Sequence, residues 1–280
     1  MLLEAIDVRK LYGTFCALDG VSLAVGPGEF VSIVGPNGAG KTTLVNVLSG
    51  LTSPSSGAVR FRGDDVAGRG PVGLARAGMA RAFQLVHVFP ALSVGETLAV
   101  AITSRRGRRA RLFAGLAGDR QLWDEVATVA SVFGLDGALD RPARTLPQGD
   151  KKLLDVASAF ALHPEVILLD EPTSGVSTGD KHAIMEVLVK AAARMGVKAI
   201  IQVEHDMDIV FGYSDRIVAL HQGRVLADAT PAALQANDEV MATIVGRTVS
   251  HMEPPAARTQ PLPSKTGHPR PDPGTPGPLQ

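Results

Sequence analysis

The chain has 280 residues, 45% of them hydrophobic, enough for one large domain or two small ones with a sizeable core. Lys+Arg and Asp+Glu are both 28, so the formal net charge is zero, and aromatics make up only 4%. Neither a basic field nor a base-stacking surface marks the chain for nucleic acid. The single cysteine, Cys16, excludes an internal disulfide, fits a reducing compartment and is expected to be a small buried residue.

The opening segment, MLLEAIDVRK, has no basic region followed by an apolar core and does not read as a signal peptide. No run of about 18 apolar residues, the length a membrane span needs, occurs. Val21, Leu23 and Val25 alternate, the chain turns at Gly26-Pro27-Gly28, and the apolar run Phe30–Val34 follows. This pattern predicts a half-exposed antiparallel strand and then a buried one. SGAVRFRGDDV, residues 56–66, reads as another two-faced strand. From about 85 to 163 apolar residues recur at helical spacing, as at Leu122, Val126, Val129, Val132 and Phe133, predicting a mainly helical subdomain.

Strand signals return at Val166–Leu169 and Ala199–Val203. A helix between them carries Ile184, Val187, Leu188 and Met195 on one face and stops at Gly196. DRIVALHQGRVLA predicts a hairpin turning at Gln222-Gly223, and TPAAL opens a last helix with Thr230 as its cap and Pro231 in its first turn. The domain is expected to end near residue 252. Residues 253–280 hold nine of the 19 prolines and almost no large apolar side chains. Such a segment cannot bury enough surface to offset its ordering entropy, which predicts a disordered tail; a proline-rich docking ligand is the alternative.

Two motifs carry chemistry. GPNGAGKT comprises Gly35, Pro36, Asn37, Gly38, Ala39, Gly40, Lys41 and Thr42, with Thr43 next. It follows a predicted strand and opens a helical pattern, the context a phosphate-binding loop requires. Gly38 and Gly40 let the backbone curl so that N–H groups face phosphate oxygens at a helix N-terminus. Lys41 supplies a point charge to the β- and γ-phosphates, and the Thr42 hydroxyl suits Mg²⁺. VILLDE then ends a second strand in two acids: Asp170, placed to hold Mg²⁺ through water, and Glu171, facing the other way and able to polarise an attacking water.

With these residues in view, roughly residues 2–250 resemble the ATP-binding subunit of an ABC transporter. The resemblance implies an α/β fold: a P-loop NTPase core of the ABC ATPase type, an antiparallel β subdomain and a helical signature subdomain. It implies that Tyr12 stacks on adenine. It implies that Gln84, in RAFQ, senses Mg²⁺ and the membrane partner, and that His205, in VEHD, contacts the γ-phosphate with Glu171 as the other catalytic residue. The signature position is held by LPQGD, so Pro147, Gln148, Gly149 and Asp150 would face the ATP of a second subunit. The family usually has a serine where Pro147 stands, and a glutamine is common where Asp150 stands. RAFQLVHVFPALSVGETLAVA and VEHDMDIVFGYSDRIVALHQGRVLADATP resemble the branched-chain amino-acid uptake subgroup in particular.

The resemblance implies ATP and Mg²⁺ as cofactors and a peripheral place on the cytoplasmic face of the membrane. The implied partners are a second ABC ATPase subunit, in a homodimer or heterodimer, two transmembrane permease subunits, and an external solute-binding protein reached through the permease. Leu85, Val88, Phe89 and Leu92, after Gln84, are expected to dock the permease, with ordinary core packing as the alternative. Arg105, Arg106, Arg108, Arg109 and Arg111 read as a solvated, mobile loop, or as a contact to lipid headgroups. Two rival functions remain. A soluble ABC protein of translation or DNA repair is disfavoured by the single cassette and the lack of sustained heptads. A non-hydrolysing regulatory subunit is favoured by Pro147 and opposed by Asp170, Glu171 and His205.

Overall fold

The computed structural model describes residues 1–82, 89, 91–107 and 118–245. The strands β1 (Leu3–Tyr12) and β2 (Phe15–Val25) form an antiparallel pair joined through Gly13. After the Gly26–Gly28 turn comes β3 (Phe30–Val34), then helix α1 (Lys41–Leu48), β4 (Ser56–Phe61), the two-residue β5 (Asp64–Asp65), α2 (Gly70–Ala77) and β6 (Met79–Ala82). Three helices follow: α3 (Val94–Arg105), α4 (Arg120–Val132) and α5 (Gln148–Phe160). The chain then alternates through β7 (Val166–Asp170), α6 (Thr178–Met195), β8 (Ala199–Val203) and α7 (Met207–Tyr213). It closes with the hairpin β9 (Arg216–His221) and β10 (Arg224–Ala229), then α8 (Pro231–Gln235) and α9 (Asp238–Val245).

The strands form two sheets: an antiparallel one in the order β2-β1-β4-β5, and a six-stranded one in the order β10-β9-β3-β8-β7-β6. In the larger sheet β9, β3, β8, β7 and β6 run parallel, and only β10 is antiparallel. Every residue of β3, β7 and β8 is buried, as expected for strands covered on both faces. Their alternate side chains feed two different cores. Phe30, Ile167, Leu169 and Ile200 pack toward α3–α6, whereas Val31, Ile33, Val166, Leu168 and Ile201 pack toward α1 and the antiparallel sheet. All the parallel strands therefore end on one side, where the chain must turn, and ligand sites in such sheets lie at those carboxyl ends.

Among the described residues, helices α3, α4 and α5 fall in the stretch where apolar residues recur at helical spacing. α3 starts with a reciprocal capping box between Ser93 and Glu96, and Leu122, Val126 and Val129 of α4 bury the predicted stripe. The Gln222-Gly223 hairpin turn also forms, with both φ angles positive (49° and 77°), the geometry that a two-residue hairpin twist favours.

Several expectations are corrected. SGAVRFRGDDV is not one strand: Arg62 and Gly63, both at positive φ, turn the chain so that β5 folds back on β4. Cys16 is exposed, because it lies beside the β1–β2 turn, opposite Leu11 at the end of the pair. Arg105 and Arg106 are not a solvated loop. Both guanidiniums bond the Glu125 carboxylate on α4, Arg106 at 2.7 Å, and Arg105 also meets His163 Nδ1 at 2.8 Å. These cations sit at the C-terminal end of α3, where the helix dipole favours them. TPAAL does not open the last helix, since α9 follows it. Gln84, Leu85, Val88, Arg108, Arg109, Arg111 and the 253–280 tail lie outside the described residues.

Candidate functional site

The phosphate loop, Gly35–Thr42, joins the end of β3 to α1. Gly35 has φ 146°, and a Cβ there would fall 2.2 Å from the Leu220 carbonyl oxygen. Gly40 has φ 103°, and a Cβ there would fall 2.7 Å from the Ala17 carbonyl oxygen. Glycine is thus required twice, by close backbone approach as well as by φ. Gly40 is also the N-cap of α1 and provides no side-chain cap, which leaves the first-turn N–H groups for an anion. Ala39 is buried, Pro36 and Thr43 are half-buried, and Asn37, Gly38 and Thr42 are exposed on the loop rim.

Lys41 is buried and folds back over its own loop, donating to the carbonyl oxygens of Gly35 (2.7 Å) and Pro36 (3.0 Å). Burial pushes its ammonium below the usual lysine range, and the nearby charges of Glu171 and Asp170 oppose that shift. The two acids therefore lie close enough to the loop lysine for their charges to be felt there.

Asp170 is the last residue of β7 and is buried. Its Oδ2 accepts from Arg81 Nη2 at 2.6 Å. Glu171 follows at φ 49°, a left-handed conformation costly for a residue with a Cβ. The surroundings hold it there: its N–H donates to Val203 O (2.9 Å), and Lys152 Nζ donates to its carbonyl (3.2 Å). The turn sends the two carboxylates in different directions and brings Glu171 Oε1 to 3.0 Å from His205 Nε2. His205 stands two residues beyond the end of β8 rather than on the strand. Its N–H donates to Glu204 Oε2 (2.9 Å), and buried Glu204 also accepts from the Thr173 N–H (3.2 Å) and hydroxyl. Glu204 thereby pins the EPTSGV segment to the His205 turn. Lys181 and Asp206, 2.6 Å apart, brace the same turn from α6.

Tyr12 ends β1 and is half exposed, with Lys10 Nζ 5.2 Å from its ring centre. The strand leading from its turn passes Gly40 at Ala17 and Leu18, so the aromatic belongs to the hairpin beside the phosphate loop. Pro147 caps α5 at φ −55° and ψ 158°, without a side-chain hydrogen bond. Pro147 and Gln148 are exposed, Gly149 and Asp150 are half-buried, and Gln148 Nε2 lies 3.8 Å from the Cβ position of Gly175. One chain therefore brings together Gly35–Thr43, Asp170, Glu171 and His205, and carries Pro147–Asp150 on the helical subdomain.

The residues that sequence reading missed are Arg81, Lys152 and Glu204. Each is a charged side chain in a buried setting, with 3–6% exposure. Arg81 offered a signal, as the only charge in the small-residue strand MARA. The other two sit among ordinary helix and strand-end charges.

The donor set fits a magnesium nucleotide. Among the described residues no cluster of three or more His, Cys, Asp or Glu could form an all-protein metal cage. One hydroxyl at a helix start and one carboxylate at a strand end are hard oxygen donors. Mg²⁺ is commonly held by that few, with phosphate and water completing its shell.

A phosphate loop on a central parallel strand, paired acids on the strand two places away and a helical subdomain inserted between them define a nucleotide-driven ATPase cassette. The chain belongs to the ABC transporter family, as an ATP-binding and ATP-hydrolysing subunit: the family's profile matches residues 18–174. It is 33% identical over 252 residues to the high-affinity branched-chain amino acid transport ATP-binding protein LivG of Escherichia coli K12, covering 88% of this chain and 98% of that one. It is 32% identical over 252 residues, with the same shares covered, to the Pseudomonas aeruginosa protein BraF, which carries the same description. Among solved structures, it resembles the ADP conformation of an ATP-binding cassette from an ABC transporter, with a TM-score of 0.77 and 27% identity, covering 88% of this chain and 99% of that one. It also resembles a dimeric cassette in a post-hydrolysis state bound to ADP and Pi, with a TM-score of 0.70 and 25% identity, covering 82% and 99%. Among the described residues no helix is long and apolar enough to cross a membrane.

Proposed function

We propose that this chain is the energising subunit of an importer for branched-chain amino acids or related small solutes. The names of its relatives support that cargo class. The observation that carries the mechanism is the convergence of the phosphate loop, Asp170, Glu171 and His205 at the carboxyl ends of β3, β7 and β8, with Glu171 held 3.0 Å from His205.

In this reading Tyr12 stacks on adenine, and the residues from Gly35 to Thr43 cradle the phosphates. Thr42 and Asp170 would hold Mg²⁺, and the resemblance assigns Gln84 to the same metal. When bound, the metal would supply positive charge that neutralises the phosphates. Lys41 leaves the Gly35 and Pro36 carbonyls to pair with phosphate, a stronger acceptor. Glu171 accepts a proton from the attacking water, and His205 orients Glu171 and reaches the γ-phosphate. Pro147–Asp150 complete the site of a second ATPase subunit, so catalysis requires a dimer. Two permease subunits place the dimer on the cytoplasmic face of the membrane, and a solute-binding protein delivers cargo through them.

Reconstitution with the permease and binding-protein products of neighbouring genes tests this reading. ATP turnover is expected to rise when the binding protein carries leucine, isoleucine or valine. Turnover that ignores every branched-chain amino acid, while another solute stimulates it, would reassign the cargo. Failure to associate with any permease would remove the transport role.

A further inference from the structure

We propose that Arg81 is a positioning residue for the metal-binding acid: its guanidinium anchors one oxygen of Asp170 to the phosphate-loop helix, so that the other is presented to Mg²⁺. The inference rests on the reading above that Asp170 holds the metal.

Arg81 lies on β6, in register with Leu168 of β7, among the buried residues Met79, Ala80 and Ala82. Its side chain is 6% exposed and that of Asp170 7%, so the pair is shielded from water. The guanidinium serves two elements at once. Nη2 donates to Asp170 Oδ2 at 2.6 Å, and Nη1 donates to Asn46 Oδ1 at 2.7 Å and Ser49 Oγ at 3.0 Å. Asn46 is in α1 and Ser49 caps its C-terminus, and α1 begins at Lys41 and Thr42. The arginine therefore ties the metal acid to the same helix that carries Thr42, a second metal donor.

Two physical consequences follow. A buried carboxylate is costly when unpaired, and Arg81 pairs with Asp170 and holds it in place before any metal arrives. A carboxylate bonded through one oxygen loses most of its torsional freedom, so its remaining oxygen is preorganised. Lysine cannot replace this function. An ammonium is a compact point charge, whereas the planar fork reaches three acceptors on two elements in fixed directions.

The test is Mg²⁺ titration of fluorescent ATP-analogue binding to the full-length chain, in a Glu171→Gln background so that turnover does not intrude. Arg81→Lys, Arg81→Met and the milder Asn46→Ala are compared with the background protein. Binding in EDTA is expected to be unchanged in all three. The Mg²⁺ midpoint is expected to rise about 10–100-fold for the arginine variants, the usual cost of losing a partner of a metal ligand, and less for Asn46→Ala. The Mn²⁺ electron paramagnetic resonance spectrum of the nucleotide complex is expected to broaden in the same order. If Arg81→Met does not fold, Arg81→Lys and Asn46→Ala carry the same expectation. An unchanged midpoint, or equal loss of affinity with and without metal, would reduce the pair to a structural brace and overturn the proposal. A lowered midpoint would show that Arg81 opposes the metal, with the same result. A background protein whose binding ignores Mg²⁺ altogether would sink the metal assignment of Asp170 itself.

Discussion

His205 Nε2 stands 3.0 Å from Glu171 Oε1, across the gap between the ends of β8 and β7. The contact exists because Glu171 adopts φ 49° and because Val203 and Lys152 bond its backbone. Glu171→Gln keeps the shape and the histidine contact but removes the proton acceptor. Turnover in the reconstituted transporter is expected to fall about 10²–10⁴-fold while ATP binding is retained. Retained turnover would show that another group takes the proton.

Phe89 is 55% exposed, a large apolar side chain left open beside the segment that begins at Gln84. That exposure supports docking over core packing for Phe89. Phe89→Glu is expected to release the subunit from permease-containing membranes without lowering its melting temperature. A variant that melts early, or that stays bound, would return Phe89 to a packing role.

Burial pushes the Asp155 carboxyl up to about 7, with Lys152 opposing the shift. A raised acid means that the folded chain binds more protons than the unfolded chain between roughly pH 4 and 7. Stability from this group is therefore present at low pH and is lost as pH rises through 7. Asp155→Asn removes the titration. The variant is expected to gain stability at pH 8 and to narrow the gap between melting temperatures at pH 6 and pH 8, each kcal/mol being about 2–4 °C for a chain of this size. A gap as wide as in the parent protein would place the titrating group elsewhere.

Pro147 has neither a hydroxyl nor an N–H to offer a phosphate. Each such hydrogen bond to a charged group is worth about 1.5–3 kcal/mol, so a site served by LPQGD is expected to be weakened without loss of the fold. The phosphate loop, Glu171 and His205 of the same chain are intact. The expected assembly is a heterodimer with unequal sites, in which this chain's phosphate loop meets a better signature on its partner. Pro147→Ser is expected to speed the slower site about 10-fold or more. Brisk hydrolysis by the chain alone, indifferent to Pro147→Ser, would make LPQGD a working variant and the dimer symmetric.

The sequence by itself determined the elements that depend on local chemistry. The GPNGAGKT turn, the buried strands Phe30–Val34 and Val166–Leu169, the Gln222-Gly223 hairpin and the Gly196 stop were all legible. In each, residue type sets φ or a short-range apolar period, and neighbours a few positions away suffice to read it. Tertiary structure alone decided what depends on juxtaposition. It exposed Cys16 at a strand-pair end, drew Arg105 and Arg106 onto Glu125, and buried Arg81 against Asp170. It also set Lys152 and Val203 around Glu171, which holds that residue in a left-handed backbone conformation that a Cβ disfavours. A charged side chain reads in sequence as a surface residue. Only when strands and helices distant in the chain close around it does the low-dielectric setting select the partner that keeps it charged.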